Sequence, residues 1–288
     1  MLGQVLFSGL ALGSIYGLIA LGFVVIFKAT DVFNFAQGMF VVAGAYLAVT
    51  AISLLGLPFP LAVLFVLTGA ALMGAGIQAL LIRPLAGRPI LSIIMLTIAL
   101  SIVMRAAIEI VYGPPARTLT TPLPTGGFLF AGLRISQLHL TAAATSWTCM
   151  ILFGLFFRFT SMGLLMRAAA DSHEAAAVSG IRVDAMNRLA WAIGFTLAAI
   201  GGVFLGQLQV VSTELESIGL LALPAVVIGG MQSIPGAILG GLLVGIIEQL
   251  ASSYISSKAS DVTIYGLLLI ILLVRPWGLL GQRTINRV

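Results

Sequence analysis

The sequence predicts an all-α polytopic membrane protein with eight or nine transmembrane helices, and three observations carry that prediction. Hydrophobic residues make up 60% of the 288 residues and charged residues only 8%, against roughly 25% charged in an ordinary soluble domain. The apolar runs are mostly 18–23 residues long and lack strict alternation, which fits spanning helices rather than the roughly ten-residue alternating strands of a barrel. Inside lipid the backbone must satisfy its own hydrogen bonds, so these runs have to be helical. Against this background seven charged side chains, Arg158, Arg167, Asp171, Glu174, Arg182, Asp184 and Arg188, gather in residues 158–188. That segment is too polar to cross a bilayer and helix-prone enough to lie on its surface.

In chain order the predicted spans are Val5–Phe27, Ala36–Ser53, Leu61–Ile82, Ile90–Tyr112, Leu138–Phe157, Met186–Leu208, Ile218–Gly230, Gly236–Ser256 and Val262–Val274. The first is no cleaved signal peptide: residues 1–27 carry no Lys or Arg, and Lys28 follows the apolar run instead of preceding it. That order favours an N-terminus outside. Nine alternating crossings then put Lys28, Arg83, Arg88, Arg158, Arg167, Arg182, Arg188, Arg275, Arg283 and Arg287 inside, with only Arg117, Arg134 and Lys258 outside. This is the asymmetry of the positive-inside rule. It accounts for the net charge of +5 without nucleic acid. Glu214, Glu216 and Asp261 fall outside as well. Ile218–Gly230 has 13 residues and contains Pro224, so it reads as a broken or re-entrant helix. Val262–Val274 borrows length from Trp277, Leu279 and Leu280, with Arg275 snorkelling to the interface. The single cysteine, Cys149, sits in an apolar run as a core residue, with no partner for a disulfide or metal.

Small residues and intramembrane polar groups come next. Gly9, Gly13 and Gly17 stand four apart on one face, and Gly202 with Gly206, Gly236 with Gly240 and Gly241 with Gly245 repeat the spacing. Such stripes mark close helix contacts in lipid. Arg105 and Glu109 are four apart and are expected to pair with each other. Glu248 has no charged neighbour in its own span, so it faces either a partner helix or a water-filled path. Asn34 and Gln37 sit at the entry to the second span, where residues 34–38 can form an interrupted helix start with free N–H groups turned into the bundle. Asn34, Gln37 and Glu248 are the candidate path residues.

Residues 162–180 read MGLLMRAAADSHEAAAVSG. Leu164, Leu165, Ala168, Ala169, Ala175, Ala176 and Val178 are expected on an apolar side, Arg167, Asp171 and Glu174 on the other, and Gly180 at the end of a short amphipathic helix. Its polar face is mixed in sign, which suits a protein groove better than anionic lipid.

Glu174-Ala175-Ala176 followed by Gly180 resembles the E-A-A-x3-G coupling loop of permeases from ATP-binding-cassette importers. SGLALGSIYGLIALG (8–22), VFNFAQGMFVVAGAY (32–46), MGLLMRAAADSHEAAAVSGI (162–181) and VIGGMQSIPGAILGGLLVGIIE (227–248) resemble, in the same order, landmarks of the branched-chain amino acid permeases of LivH type. Two departures stand out. The I-x-L-P tail is absent after Gly180, and Gln37 stands where the family pattern has His in N-F-A-H-G, which removes a titratable group.

The resemblance implies one permease domain over residues 1–288, working with a second, non-identical permease subunit, two cytoplasmic ATP-binding subunits and a periplasmic substrate-binding protein in a bacterial inner membrane. It implies that Arg167, Asp171, Glu174, Ala175, Ala176 and Gly180 couple the bundle to the ATPase, with no cofactor in this chain. The substrates it implies are leucine, isoleucine and valine, with urea, short amides or aromatic acids for other branches. The absence of a G-x-x-x-x-G-K-[ST] loop agrees that a partner handles ATP. An ion-coupled secondary transporter would have to work through Glu109 and Glu248. A membrane enzyme finds no support in His139 and His173, which lie apart and outside any ligand or nucleophile spacing.

Overall fold

The first helix organises the structure. The computed structural model describes residues 2–124, 126–130, 133–256 and 259–281. Helix α1 (Leu2–Thr30) has 29 residues, about 43 Å at 1.5 Å per residue, and is apolar on every side. A helix of that kind has to be enclosed, and 89% of its most apolar window lies inside the bundle. It packs on α5 (Gln137–Phe159), α8 (Val183–Leu208), α10 (Ala222–Gly229) and α11 (Ile234–Tyr254). Along the α1–α11 seam a Cβ at Gly9 would lie 2.9 Å from the Ile246 Cα, and one at Gly13 would lie 2.8 Å from the Leu242 Cα. Gly17 abuts Ile238, Gly202 abuts the Val41 carbonyl, Gly206 faces Val211, and Gly236 and Gly240 meet the α10 backbone at Gly229 and Ala225.

The chain leaves α1 through Asp31, whose φ is +51°, a region Asp enters more readily than most residues. It then turns back into the bundle before α2 (Gln37–Val49) begins. Helices α2 and α3 (Phe59–Ile77) each run on into a π turn, Thr50–Leu54 and Gln78–Ile82. Helix α4 (Ile90–Tyr112) has the bounds expected of its apolar run. The windows of α3, α4 and α5 are each only 22% buried, and their outer faces show Leu72, Leu91, Ile102, Ile110 and Leu152, a surface suited to lipid. Between α4 and α5 lies a small antiparallel hairpin, β1 (Gly127–Phe130) with β2 (Leu133–Ser136), pairing Leu129 with Arg134.

Among the described residues, seven helices are long and apolar enough to cross a membrane; Leu215–Gly229 and Ala259–Val274 are shorter apolar helices. The protein is a multi-pass membrane protein. The first of the short pair is broken, as α9 (Leu215–Leu220) and α10. Pro224 has no N–H to give to the Leu220 carbonyl, so the ladder is interrupted there. The second is α12 (Ala259–Val274). The expected positions of Lys258, Arg283 and Arg287 fall outside the described residues.

Gly13→Leu should lower stability by about 1–3 kcal/mol through overpacking, whereas Leu10→Val on the exposed side of α1 should stay within about 0.5 kcal/mol of the parent. Thermal melts of the detergent-purified proteins measure both, and equal melting temperatures would contradict the close α1–α11 approach.

Candidate functional site

Residues 160–181 form the segment that projects from the bundle at the Lys28 end, and they form two helices where one was expected. Thr160 caps α6 (Ser161–Asp171) by accepting from the Gly163 N–H at 3.0 Å. Ser172 is extended (φ −159°, ψ 112°) and its hydroxyl accepts from the Ala175 N–H, capping a second helix, α7 (His173–Val178). A serine that can satisfy free N–H groups competes with helix continuation, and here it wins. At the far end Gly180 (φ +80°) closes α7, with Gly180 N–H donating to Ala177 O and Ile181 N–H to Ala176 O, both at 3.0 Å. The pair of bonds is a Schellman closure, which needs the left-handed glycine.

The apolar side also differs from expectation. Met166, Ala169 and Ala176 are buried in one apolar cluster with Leu18, Leu21, Val25 and Ala29 of α1, and buried Gly163 lies against the Phe156 and Phe157 carbonyls of α5. Leu164 is exposed and Val178 is 90% exposed. Three residues expected on the apolar side, Leu164, Ala175 and Val178, are therefore exposed along with Asp171 and Glu174. Arg167 is set 5.5 Å over the Phe157 ring, and Lys28 approaches the same ring at 6.0 Å. His173 Nε2 donates to the Ala29 carbonyl at 2.9 Å. Beside the segment a cavity of about 340 Å³ is lined by Lys28, Asp31, Asp171, Gln232 and Ser233 among others. Arg83 and Asp184 form an exposed pair nearby at 3.0 Å, of a kind that contributes about 0–1 kcal/mol.

Asn34 and Gln37 are buried deep between α1, α2 and α4. The Asn34 amide donates to Gln37 Oε1 at 3.1 Å, Asn34 Oδ1 accepts from the Ala36 N–H, and the Gln37 amide donates to the Ile19 carbonyl at 3.3 Å. From α4, the Thr97 hydroxyl accepts from the Phe35 N–H. Side chains thus hold the turn ahead of α2 at Phe35 and Ala36, while the Gln37 N–H donates to the Asn34 carbonyl at 3.2 Å and α2 itself has no side-chain cap. Glu248 lies elsewhere, on α11 next to the Tyr16 hydroxyl of α1, and the two approach without closing a hydrogen bond. The three candidate path residues occupy two separate places.

The expected Arg105–Glu109 pair does not form. Arg105 donates to Glu216 Oε2 of α9 from Nε at 3.1 Å and from Nη2 at 2.6 Å, and the Ser101 hydroxyl donates to Glu216 Oε1. Glu109 accepts from the Thr213 hydroxyl at 3.2 Å instead. Acid before base is the better order for a pair four apart on a helix. Here the order is reversed, and α9 brings a carboxylate that the guanidinium can grip with two nitrogens. The Glu216 side chain is 13% exposed and that of Arg105 43%. Antiparallel bonds between Arg117 and Val211, both 2.8 Å, strap the same 209–221 stretch to the loop after α4.

The comparisons with known proteins show which family this glycine-seamed bundle belongs to. The family described as the branched-chain amino acid transport system permease component matches residues 5–273. The chain belongs to this permease family. It is 31% identical to the high-affinity branched-chain amino acid transport system permease protein LivH of Salmonella typhimurium, over 99% of this chain and 97% of that protein. It is 32% identical, with the same coverage, to the permease protein BraD of Pseudomonas aeruginosa. A probable LivH permease protein of Methanocaldococcus jannaschii is 29% identical over 97% of this chain and 91% of its own length. No solved structure matches.

Within this permease, Glu216 and Ser101 are the polar residues that sequence reasoning missed. The available signal was scarcity. An arginine inside a span needs a carboxylate, and toward that end of α4 the chain offers only Glu109, Glu214, Glu216 and Asp261.

Breaking the α4–α9 link with Arg105→Met or Glu216→Gln should cost about 1.5–3 kcal/mol each, as for hydrogen bonds to charged groups. The double variant should lose clearly less than the sum, because the second change removes a group already orphaned. Melting temperatures of the four proteins measure this; additive losses would contradict the pairing.

Proposed function

We propose that this chain is the membrane-embedded permease subunit of an ATP-binding-cassette importer for branched-chain amino acids. In this reading residues 1–288 form one transmembrane domain, set in a bacterial inner membrane with the N-terminus outside and the C-terminus in the cytoplasm. A second homologous permease completes the path as a heterodimer, two cytoplasmic ATP-binding subunits drive it, and a periplasmic binding protein delivers the substrate. The observation that carries the reading is the α6–α7 segment of a chain belonging to this permease family. It is a doubly capped helix pair that exposes Leu164 and Val178 along with the charges of Asp171 and Glu174. Buried Met166, Ala169 and Ala176 share an apolar cluster with α1. A face of mixed apolar and charged residues fits a protein cleft better than anionic lipid. Arg167, Asp171, Glu174, Ala175, Ala176 and Gly180 then form the coupling site. ATP binding shifts the bundle between its two openings only through contacts that differ between them.

Asn34, Gln37 and Glu248 are proposed to meet the path between the two permeases once the bundle rearranges. The two clusters they occupy are the buried polar groups that a moving α1 would carry with it.

Uptake of radiolabelled leucine by cells expressing the complete set of subunits, compared with cells lacking only this chain, tests the function; equal uptake would overturn it. Glu174→Lys should abolish uptake while the permease remains in the membrane at its normal level, and normal uptake by that variant would remove the coupling role. Cysteines placed singly at positions 34, 37 and 248 should react with a water-soluble thiol reagent during turnover. Uniform inertness would count against the path.

A further inference from the structure

A hydrogen bond joins α7 to the end of α1: His173 Nε2 to the carbonyl of Ala29, at 2.9 Å. A carbonyl only accepts, so Nε2 carries the hydrogen and donates. Ala29 stands in the last turn of α1, where backbone carbonyls run out of helical partners. Two of its neighbours are served locally, Ile26 O by the Thr30 hydroxyl and Phe27 O by the Asp31 N–H at 2.7 Å. Ala29 O is served from outside, by a side chain 144 residues away in sequence. The end of α1 also carries the negative pole of its helix dipole, which strengthens an N–H bond made there.

This link sits where the two bodies meet. On one side is α7, held in place by its Ser172 cap and Gly180 closure. On the other is α1, the most enclosed helix of the bundle. Beside the link, Met166 and Ala169 share an apolar cluster with Val25 and Ala29, and Lys28 and Arg167 share the Phe157 ring. Apolar surfaces can slide over one another at little cost, whereas a hydrogen bond to a fixed carbonyl sets one register. Beyond Ala29 the chain passes through Asp31 into the Asn34–Gln37 cluster, so a displacement at Ala29 is passed on to the start of α2.

We propose that His173 is a positioning residue for transport: its N–H pins α7 to the end of α1, so that the two move as one body and the stroke received by the coupling segment reaches the central helix. The proposal rests on the importer reading given above and adds to it the residue that carries the stroke.

Proteoliposomes containing the complete importer test it, with leucine uptake and ATP hydrolysis measured on the same samples. His173→Met has similar reach and no donor; His173→Gln keeps an N–H. Hydrolysis by H173M should stay close to wild type while leucine moved per ATP falls about fivefold or more, and H173Q should recover most of that ratio. A wild-type ratio in H173M, or equal losses in both variants, would overturn the proposal. Should H173M not assemble, spin labels at positions 30 and 179 on a Cys149→Ser background give a second measurement. Their separation should stay constant within about 2 Å between nucleotide-free and ATP-bound importer; a larger change would overturn the one-body link. A wild-type importer that hydrolyses ATP but moves another solute would refute the leucine reading alone, and the ratio is then taken with that solute.

Discussion

Two facts act together on α1: lipid offers no hydrophobic drive for one helix to join another, and this helix is enclosed almost along its whole length. What holds it is proximity of backbone to backbone, since dispersion rewards only surfaces that touch. Gly9, Gly13 and Gly17 on α1, with Gly241 and Gly245 on α11, remove the side chains that would keep the two axes apart. Side chains then dock against the pair. Phe40 stacks on Phe195 at 4.1 Å between α2 and α8, and Trp191 is fully buried beside them. The α6–α7 segment, the Asn34–Gln37 cluster and Glu248 of α11 all meet α1, which makes it common to three polar features of the interior.

The Asn34–Gln37 and Arg105–Glu216 clusters follow one rule, while the Tyr16 hydroxyl and Glu248 Oε2 depart from it. A polar atom withdrawn from water and lipid headgroups alike has to be met inside the protein. Asn34 and Gln37 meet each other and the local backbone, and Arg105 meets Glu216 across two helices. Each solution joins elements far apart in sequence, so each also fixes how those elements sit. The broken helix α9–α10 illustrates this. Beyond its buried apolar face, it is anchored by a guanidinium from α4 and by a two-bond strap at Val211.

The helices were legible in the sequence because length and hydropathy alone decide them. Ile90–Tyr112 has identical bounds in both, and the Pro224 interruption coincides with the α9–α10 break. The details that escaped were those decided by competition between partners. Arg105 could reach Glu109 locally, but whether α9 would bring Glu216 nearer depends on tertiary packing that a one-dimensional reading lacks. Ser172 could have continued a helix or capped a new one, and the choice rests on hydrogen bonds worth about 1 kcal/mol. Leu164 and Val178 are apolar by composition and exposed by placement. Periodicity cannot separate a residue facing the core from one facing a protein that is not part of the chain.

The π turn that ends α3 has a consequence of its own. Arg83 N–H bonds back five residues to Gln78 O, so this stretch holds one residue more than an α-helix of the same rise. The wider coil absorbs that surplus residue, so the side chains before and after it keep nearly the phase of an uninterrupted α-helix. Removing one residue of Gln78–Ile82 would let the coil relax to its ordinary winding with Arg83 still turned toward Asp184. One further residue would find no such slack and would swing the following side chains by about 100° around the axis. The junction between α3 and α8 should therefore tolerate a single-codon deletion there far better than a single-codon insertion.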